Sequence, residues 1–126
     1  NIMAAMEPFA PHADLLKALA HPTRLAVLEI LRDGEQCVCH MEAILGLRQA
    51  SISQQLMILR GAGIVDVRRD GLNMYYRVVQ PRVFAVVDAL YTAGAAARPR
   101  LAHRHAREAC PCPKCQAASR PVPGGH

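Results

Sequence analysis

The period of the apolar residues changes at Gly63, and this change constrains the fold more than any other feature of the chain. Before it, apolar residues recur at helical spacing, as in the series Ile52, Leu56 and Leu59. After it, two runs rich in β-branched and aromatic residues flank an Asp-Gly pair at 70–71. Asp-Gly between such runs is a strong hairpin signal. The sequence therefore predicts helices followed by a β-hairpin.

Four helical segments precede the predicted hairpin and one follows it. Gly34 and Gly46 are placed as the C-terminal caps of the second and third segments. The helical segments occupy residues 11–20, 21–34, 38–47, 48–63 and 82–97, and the hairpin occupies residues 64–79. The sequence predicts a mainly α fold with a small β-hairpin, in the order α-α-α-α-β-β-α.

The length and composition favour one globular domain with extensions. The chain has 126 residues, of which 52% are apolar and 20% are charged, as in an ordinary folded domain. No apolar run approaches the roughly 18 residues of a membrane span. No secretory leader is recognisable, so we expect a cytoplasmic protein with no membrane partner. We predict an N-terminal arm at 1–10, one domain at 11–97 and a tail at 98–126.

The net positive charge of the chain lies in the tail. The formal net charge is +5, but residues 1–97 contain nine basic and nine acidic side chains. The whole excess therefore lies in residues 98–126. A case for nucleic-acid binding must come from local clusters in the domain and not from the total charge.

The third and fourth helical segments have the order of a helix-turn-helix, and the hairpin behind them has the place of a wing. In such folds the second helix enters the major groove of DNA. Its polar face suits base edges and phosphates, and arginines near a wing tip suit phosphates or the minor groove. Each side chain alone is an ordinary solvated residue, but together they predict duplex DNA as a partner. The candidate DNA-binding residues are Arg48, Gln49, Ser51, Ser53, Gln54, Gln55, Arg68, Arg69 and Arg77.

Two groups of cysteines suggest a second function. Cys37 and Cys39 are two residues apart, so on a regular helix their side chains would point about 200° from each other. Both can face one ion only where the backbone is extended or at a helix start. In the predicted cytoplasmic setting, clustered cysteines are more often metal ligands or redox groups than structural disulfides. The remaining cysteines are Cys110, Cys112 and Cys115.

Over roughly residues 13–92 the chain resembles the ArsR/SmtB family of winged-helix, metal-responsive repressors. The segments "LLKALAHPTRLAVLEILRDG", "SISQQLMILRGAGIV" and "RRDGLNMYYRV" look like the family's opening helices, recognition helix and wing. "EQCVCHM" is similar to its metal-binding motif "ELCVCDL", with His40 in place of the Asp and Glu42 in place of a third cysteine. The resemblance implies a homodimer through the first and last helices, bound to an imperfect inverted repeat.

Two thiolates do not complete a metal site, and we expect the tail to supply the others. Trivalent arsenic or antimony takes three sulfurs, whereas zinc, cadmium and lead commonly take three or four nitrogen or sulfur ligands. Pro111 and Pro113 favour a polyproline-like course, with Cys112 and Cys115 on one side and Cys110 roughly opposite. Basic side chains nearby would lower the thiol pKa values. These are Arg104, Arg107 and Lys114.

The sequence leaves several ions as candidates for this site. A proline-kinked tail would present few thiols at once, which favours As(III) or Sb(III) slightly over Cd(II) or Pb(II), with Zn(II) also possible. In zinc-responsive relatives the last helix carries an Asp-x-His pair, but Asp88 is followed by Leu90 here, so that site is broken. His103 and His105 are expected to be solvent-exposed.

Three other functions remain as alternatives. One is a redox or sulfide sensor in which a cysteine of the motif pairs with a tail cysteine. Another is a regulator with a purely structural zinc. The third is a thiol enzyme, but the sequence shows no paired acid and base, no nucleotide-binding loop and no CxxC oxidoreductase motif. We therefore expect a regulator and not an enzyme.

Overall fold

Helices form most of the computed structural model, which describes residues 2–92, 94 and 97–119. In chain order the elements are α1 (Ile2–Met6), a 3-10 turn (Glu7–Phe9), α2 (Ala10–Leu19), α3 (Pro22–Ile30), β1 (Gln36–Cys37), α4 (Val38–Leu45), α5 (Gln49–Gly61), β2 (Val65–Asp70), β3 (Asn73–Val78), α6 (Arg82–Thr92), α7 (His103–Ala109) and α8 (Pro113–Ser119). The predicted fold class and the predicted order from α2 to α6 are confirmed.

Several element boundaries differ from the prediction. Residues 2–9, for which the sequence shows no clear pattern, are helical and exposed. α3 ends at Ile30, ahead of the predicted cap Gly34, whereas Gly46 caps α4 as predicted with a left-handed φ of 65°. α6 ends at Thr92, and residues 93, 95 and 96 of its predicted extension lie outside the described residues.

The core lies between the opening helices, α5 and α6. Ile52, Leu56 and Leu59 are fully buried, so the predicted apolar line of α5 is confirmed. They pack with Leu28 and Val83, which are also fully buried. Burying an aliphatic side chain of this size contributes roughly 1.5–3 kcal/mol. Since this core fixes one face of α5, its polar face is directed outward.

The wing belongs to a three-stranded antiparallel sheet and not to an isolated hairpin. The strand order is β1-β3-β2. β2 and β3 pair from Val65↔Val78 to Asp70↔Asn73, so the turn falls at Gly71 and Leu72 as the Asp-Gly signal predicts. β1 adds the pairs Gln36↔Tyr76 and Cys37↔Tyr75. The backbone of Cys37, the first cysteine of the motif, is therefore paired with β3, a strand of the wing.

The described part of the tail, residues 98–119, contains two helices, so the predicted polyproline-like course is wrong. α7 packs on α4 and buries Ala106 completely. α8 begins at Pro113. A proline at the first helical position favours a helix, because its missing N–H would be unpaired there and its φ is already helical. Pro113, one of the two prolines that suggested an extended tail, is therefore the residue that starts α8.

Candidate metal centre and DNA-binding surface

The sulfur atoms of all five cysteines converge on one place. Measured from Cys37 Sγ, the distances are 2.7 Å to Cys39, 3.4 Å to Cys110, 3.2 Å to Cys112 and 4.0 Å to Cys115. Cys39 Sγ and Cys110 Sγ are 2.7 Å apart. Four of the five side chains are buried, and Cys39 is partly exposed. The structure thus brings the five predicted metal-site residues together within one protomer.

The backbone at Cys37 explains how two cysteines so close in sequence face the same centre. Cys37 is the N-cap of α4, with an extended φ of −80° and ψ of 158°, which is the backbone that two thiols at this spacing need to face one ion. Its Sγ accepts a hydrogen bond from the N–H of His40 at 3.3 Å. Cys39 lies in the first turn of the helix, where its side chain can turn back toward Cys37. The junction between β1 and α4 therefore presents two thiols on one side.

The tail presents its three thiols from the connection between α7 and α8. Cys110 follows α7 with an extended backbone, and Cys115 lies in the first turn of α8. The N–H of Cys115 donates to Cys112 Sγ at 3.3 Å. The prediction that Cys110 points away from the other two is wrong, because the tail bends between two helices and does not continue as an extended strand.

The donor set fits a soft metal ion. A tetrahedral ion with metal–sulfur bonds of about 2.3 Å separates its sulfurs by about 3.8 Å. The Sγ atoms of Cys37, Cys39, Cys110 and Cys112 all lie within 4.8 Å of one another, so the closest pairs need to open by about an ångström. A cavity of about 190 Å³ borders Cys37 and Cys39 between α4 and the wing, which gives solvent access to this side of the cluster.

Burial is the largest single influence on the pKa values of four of the thiols, those of Cys37, Cys39, Cys112 and Cys115. Burial raises the pKa of Cys37 and of Cys39, and it raises the pKa of Cys115 to about 12. Burial also acts on Cys112, but hydrogen bonds from the Cys115 N–H and the Cys37 thiol outweigh it and lower the pKa to about 7. The predicted lowering of the pKa values of the tail thiols is therefore wrong for Cys115, and at Cys112 it has a different cause.

Two histidines adjoin the sulfur cluster. His40 is fully buried, with its Nδ1 atom 3.4 Å from Cys115 Sγ. Its Nε2 atom lies 2.9 Å from His103 Nδ1, and the two rings are stacked. The prediction of an exposed His103 is therefore wrong, whereas His105 is exposed as predicted. The spacing of three between Cys37, the N-cap of α4, and His40, which is the spacing of a capping box, is the signal that could have found His40.

Asp88 lies where zinc-responsive relatives carry their Asp-x-His pair, and in this protein it forms ion pairs with arginines. Asp88 of α6 accepts hydrogen bonds from Arg32 and Arg98. The same two arginines pair with Glu29 of α3. Hydrogen bonds from Arg98 and Arg32 hold the pKa of Asp88 below its ordinary value. Asp88 thus attaches the beginning of the tail to the domain.

The candidate DNA-binding residues lie on the outer face of α5 and on the wing. Ser53 and Gln55 are partly buried, and the other seven are exposed: Arg48, Gln49, Ser51, Gln54, Arg68, Arg69 and Arg77. Gln55 Oε1 accepts a hydrogen bond from Arg24 at 2.8 Å. Buried Arg24 also donates to the carbonyl groups of Ala18 and Lys17. Gln55 is therefore tied to the end of α2, and the free polar surface is formed by its neighbours.

Helices α4 and α5, followed by the wing, define the molecule as a winged helix-turn-helix protein. Residues 21–67 match the family model "Bacterial regulatory protein, arsR family". A biofilm growth-associated repressor of Agrobacterium fabrum is 46% identical over 90 residues, which cover 71% of this chain and 77% of that protein. The chain belongs to the ArsR family, and the resemblance seen in the sequence is confirmed.

Further comparisons agree with this assignment. The transcriptional repressor SmtB of Mycobacterium tuberculosis is 38% identical over 82 residues, which cover 64% of this chain and 61% of that protein. The crystal structure of the repressor BigR from Xylella fastidiosa superposes with a TM-score of 0.66 at 36% identity, covering 77% of this chain and 99% of that one. The protein is therefore a transcriptional regulator. Among the described residues, no helix has the length and apolar character to cross a membrane.

Proposed function

We propose that this protein represses transcription as a DNA-bound homodimer and leaves its operator when a thiophilic metal or metalloid ion binds the cysteine cluster. The observation that carries the proposal is the convergence of Cys37 and Cys39 with three cysteines more than 70 positions away. The cluster lies where β1 meets α4, the first helix of the helix-turn-helix. A ligand there is placed to alter the orientation of the DNA-binding elements.

The structure changes the balance among the candidate ions. The slight preference for As(III) or Sb(III) depended on a tail that presents few thiols at once, but all three tail thiols face Cys37. Four converging sulfurs suit Cd(II), Pb(II) or Zn(II), which take up to four ligands. Four thiolates around a divalent ion leave a charge of −2, which the neighbouring Arg107 and Lys114 partly offset. We therefore favour a divalent soft ion, with arsenite and antimonite as the alternative.

The proposal is tested by titrating the reduced protein with Cd(II) and, separately, with arsenite. Sulfur-to-metal charge-transfer absorbance should rise to saturation, and the anisotropy of a labelled operator should show weaker DNA binding over the same range. Coupling energies of about 1–3 kcal/mol correspond to a loss of about 5–150-fold in DNA affinity. Mg(II), which prefers oxygen ligands, is the control and should change neither signal. Saturating absorbance with unchanged DNA affinity would contradict the proposed regulation.

Thiol oxidation is the second candidate function, and one contact favours it. Cys39 Sγ and Cys110 Sγ are 2.7 Å apart, close enough for a disulfide to form after a small movement. In that case an oxidant or a polysulfide should release DNA in the presence of a strong chelator. If the chelator instead unfolds the protein, zinc has only a structural role. In the metal-responsive case, chelation leaves a folded protein that binds DNA.

We further propose that the wing carries the signal from the cluster to DNA. Arg68, a candidate phosphate contact, forms a two-point ion pair with Glu35, at 2.7 and 3.2 Å. Its guanidinium lies 4.6 Å from the ring centroid of Tyr75, which is buried against the cysteines. Lys114 of the tail donates to the Glu35 carbonyl oxygen. A tail held on the cluster thus positions Glu35 to keep Arg68 away from a phosphate.

Glu35→Gln should reduce the effect of the ion on DNA affinity without changing ion binding, because it weakens the interaction that competes for Arg68. An exposed ion pair contributes little, so we expect a reduction of about fivefold at most. Asp70→Asn is the matched control, since it makes the same charge change on the wing at a carboxylate 3.8 Å from Arg68. The affinity for operator with and without Cd(II) is measured for each variant. An equal response of both variants would exclude this route through Glu35.

A further inference from the structure

The cluster contains more donors than one ion can use. A tetrahedral ion takes four ligands, but five sulfurs and one imidazole nitrogen form a continuous set of contacts. The set extends from the pair Cys39–Cys110, whose sulfurs are 2.7 Å apart, to the pair Cys115–His40, 3.4 Å apart. Cys37 Sγ lies between these ends and contacts each of the other four sulfurs at 4.0 Å or less. A sulfur in that position has the placement of a bridging ligand.

We infer that the cluster binds two soft divalent ions, held by five cysteines and His40. Two tetrahedra that share an edge have six vertices, which equals the number of available donors. The first ion takes the four mutually close sulfurs of Cys37, Cys39, Cys110 and Cys112. The second takes Cys37 and Cys112 again, together with Cys115 and the Nδ1 atom of His40. This inference rests on the proposed metal response and specifies its ligand: a pair of ions and not one.

Charge favours the second ion. One divalent ion with four thiolates carries −2 and leaves the fifth thiol unused in a buried position. Two divalent ions with five thiolates carry −1, so the second ion lowers the net charge in a site where uncompensated charge is costly. Each thiol that binds releases its proton to solvent. Arg107 and Lys114 lie close enough to the site to stabilise the remaining negative charge.

The hydrogen bonding of His40 suits a nitrogen ligand. The distance of 2.9 Å between its Nε2 atom and His103 Nδ1 allows Nε2–H to donate, which leaves the lone pair of Nδ1 directed at the sulfurs. A metal-bound histidine is usually oriented in this way through its second ring nitrogen. His103 is accordingly a positioning residue for the second ion.

The test is a cadmium titration of the reduced, full-length protein, with the bound ion counted against a competing chelator. Wild type should bind two Cd(II) ions per protomer, and ¹¹³Cd NMR should show one all-sulfur resonance and one mixed sulfur–nitrogen resonance. His40→Gln, which keeps a hydrogen-bonding group of similar size, should lose the mixed resonance and bind one ion tightly. Cys115→Ser should do the same. His105→Gln removes an exposed imidazole from the same helix as His103 and should retain both ions.

Saturation of the wild-type protein at one ion per protomer would overturn the inference while leaving the metal response intact. Two unchanged resonances in His40→Gln would also overturn it, because the nitrogen ligand would then be another group. A protein that binds arsenite but no Cd(II) would overturn the inference alone, whereas a protein that binds neither ion would also refute the proposed function. Should His40→Gln fail to fold, the wild-type spectrum and Cys115→Ser still decide between one ion and two.

Discussion

Replacing Cys37 by serine is expected to abolish release of DNA by the ion while the metal-free protein keeps its DNA affinity. Cys37 Sγ contacts every other sulfur of the cluster, so its loss removes the central ligand. The full coupling, about 5–150-fold in DNA affinity, should disappear. A serine hydroxyl can still cap α4 as the thiol does, so the helix-turn-helix should stay folded. Operator anisotropy with and without Cd(II) measures the effect.

Two companion variants locate the other half of the site. Cys39→Ser should also lose the response, and so should a chain shortened after Ala109, which lacks the three tail cysteines. Both changes leave the polar face of α5 and the wing in place, and thermal unfolding of the metal-free proteins checks their fold. A shortened chain that releases DNA at the same ion concentration would show that the tail cysteines are bystanders.

Replacing Leu90 by glutamate is expected to prevent dimerisation and thereby weaken operator binding about 100-fold or more. Leu90 of α6 and Leu16 of α2 are 57% and 55% exposed. They border a groove with an entirely apolar lining, formed by Leu16, Leu19, Ala20, Leu25, Val86, Val87 and Leu90. Exposed apolar surface of this kind marks an interface, and it lies on the helices that the family resemblance assigns to the dimer. A carboxylate buried there has no partner.

Sedimentation gives the assembly state, and operator titration gives the affinity. A monomer can contact only one half-site of an inverted repeat, which is the reason for the large expected loss. Val79→Glu is the control, because it places the same charge on another exposed aliphatic residue. Val79 directly follows β3, at the opposite end of the hairpin from the turn at Gly71 and Leu72. If Leu90→Glu remains a dimer, the interface lies elsewhere on the molecule.

The domain was predictable from sequence because its signals are local. The apolar period of α5, the cap at Gly46 and the Asp-Gly turn each depend on a few neighbouring residues. β1 escaped detection because two residues are too few to show a strand pattern, and their pairing with Tyr75 and Tyr76 is a long-range contact.

The tail was harder to predict for the same reason. Its cysteines were recognised as ligands, but their arrangement depends on the packing of α7 against α4, through buried Ala106. The buried position of His40 likewise depends on the docked tail, where Cys115 and His103 cover it. Residue type indicated the chemistry of the site, whereas its geometry required contacts between segments far apart in sequence.

The ion pairs at the beginning of the tail determine whether each metal site is built from one subunit or from two. Arg98 is bound to Glu29 and Asp88 of its own chain, so the tail folds back on the protomer from which it emerges. Each subunit then contains a full set of donors, and a dimer with one cysteine-free subunit would still load its intact half. Such a mixed dimer should keep only part of the metal response, because the ion acts on one of its two DNA-binding halves.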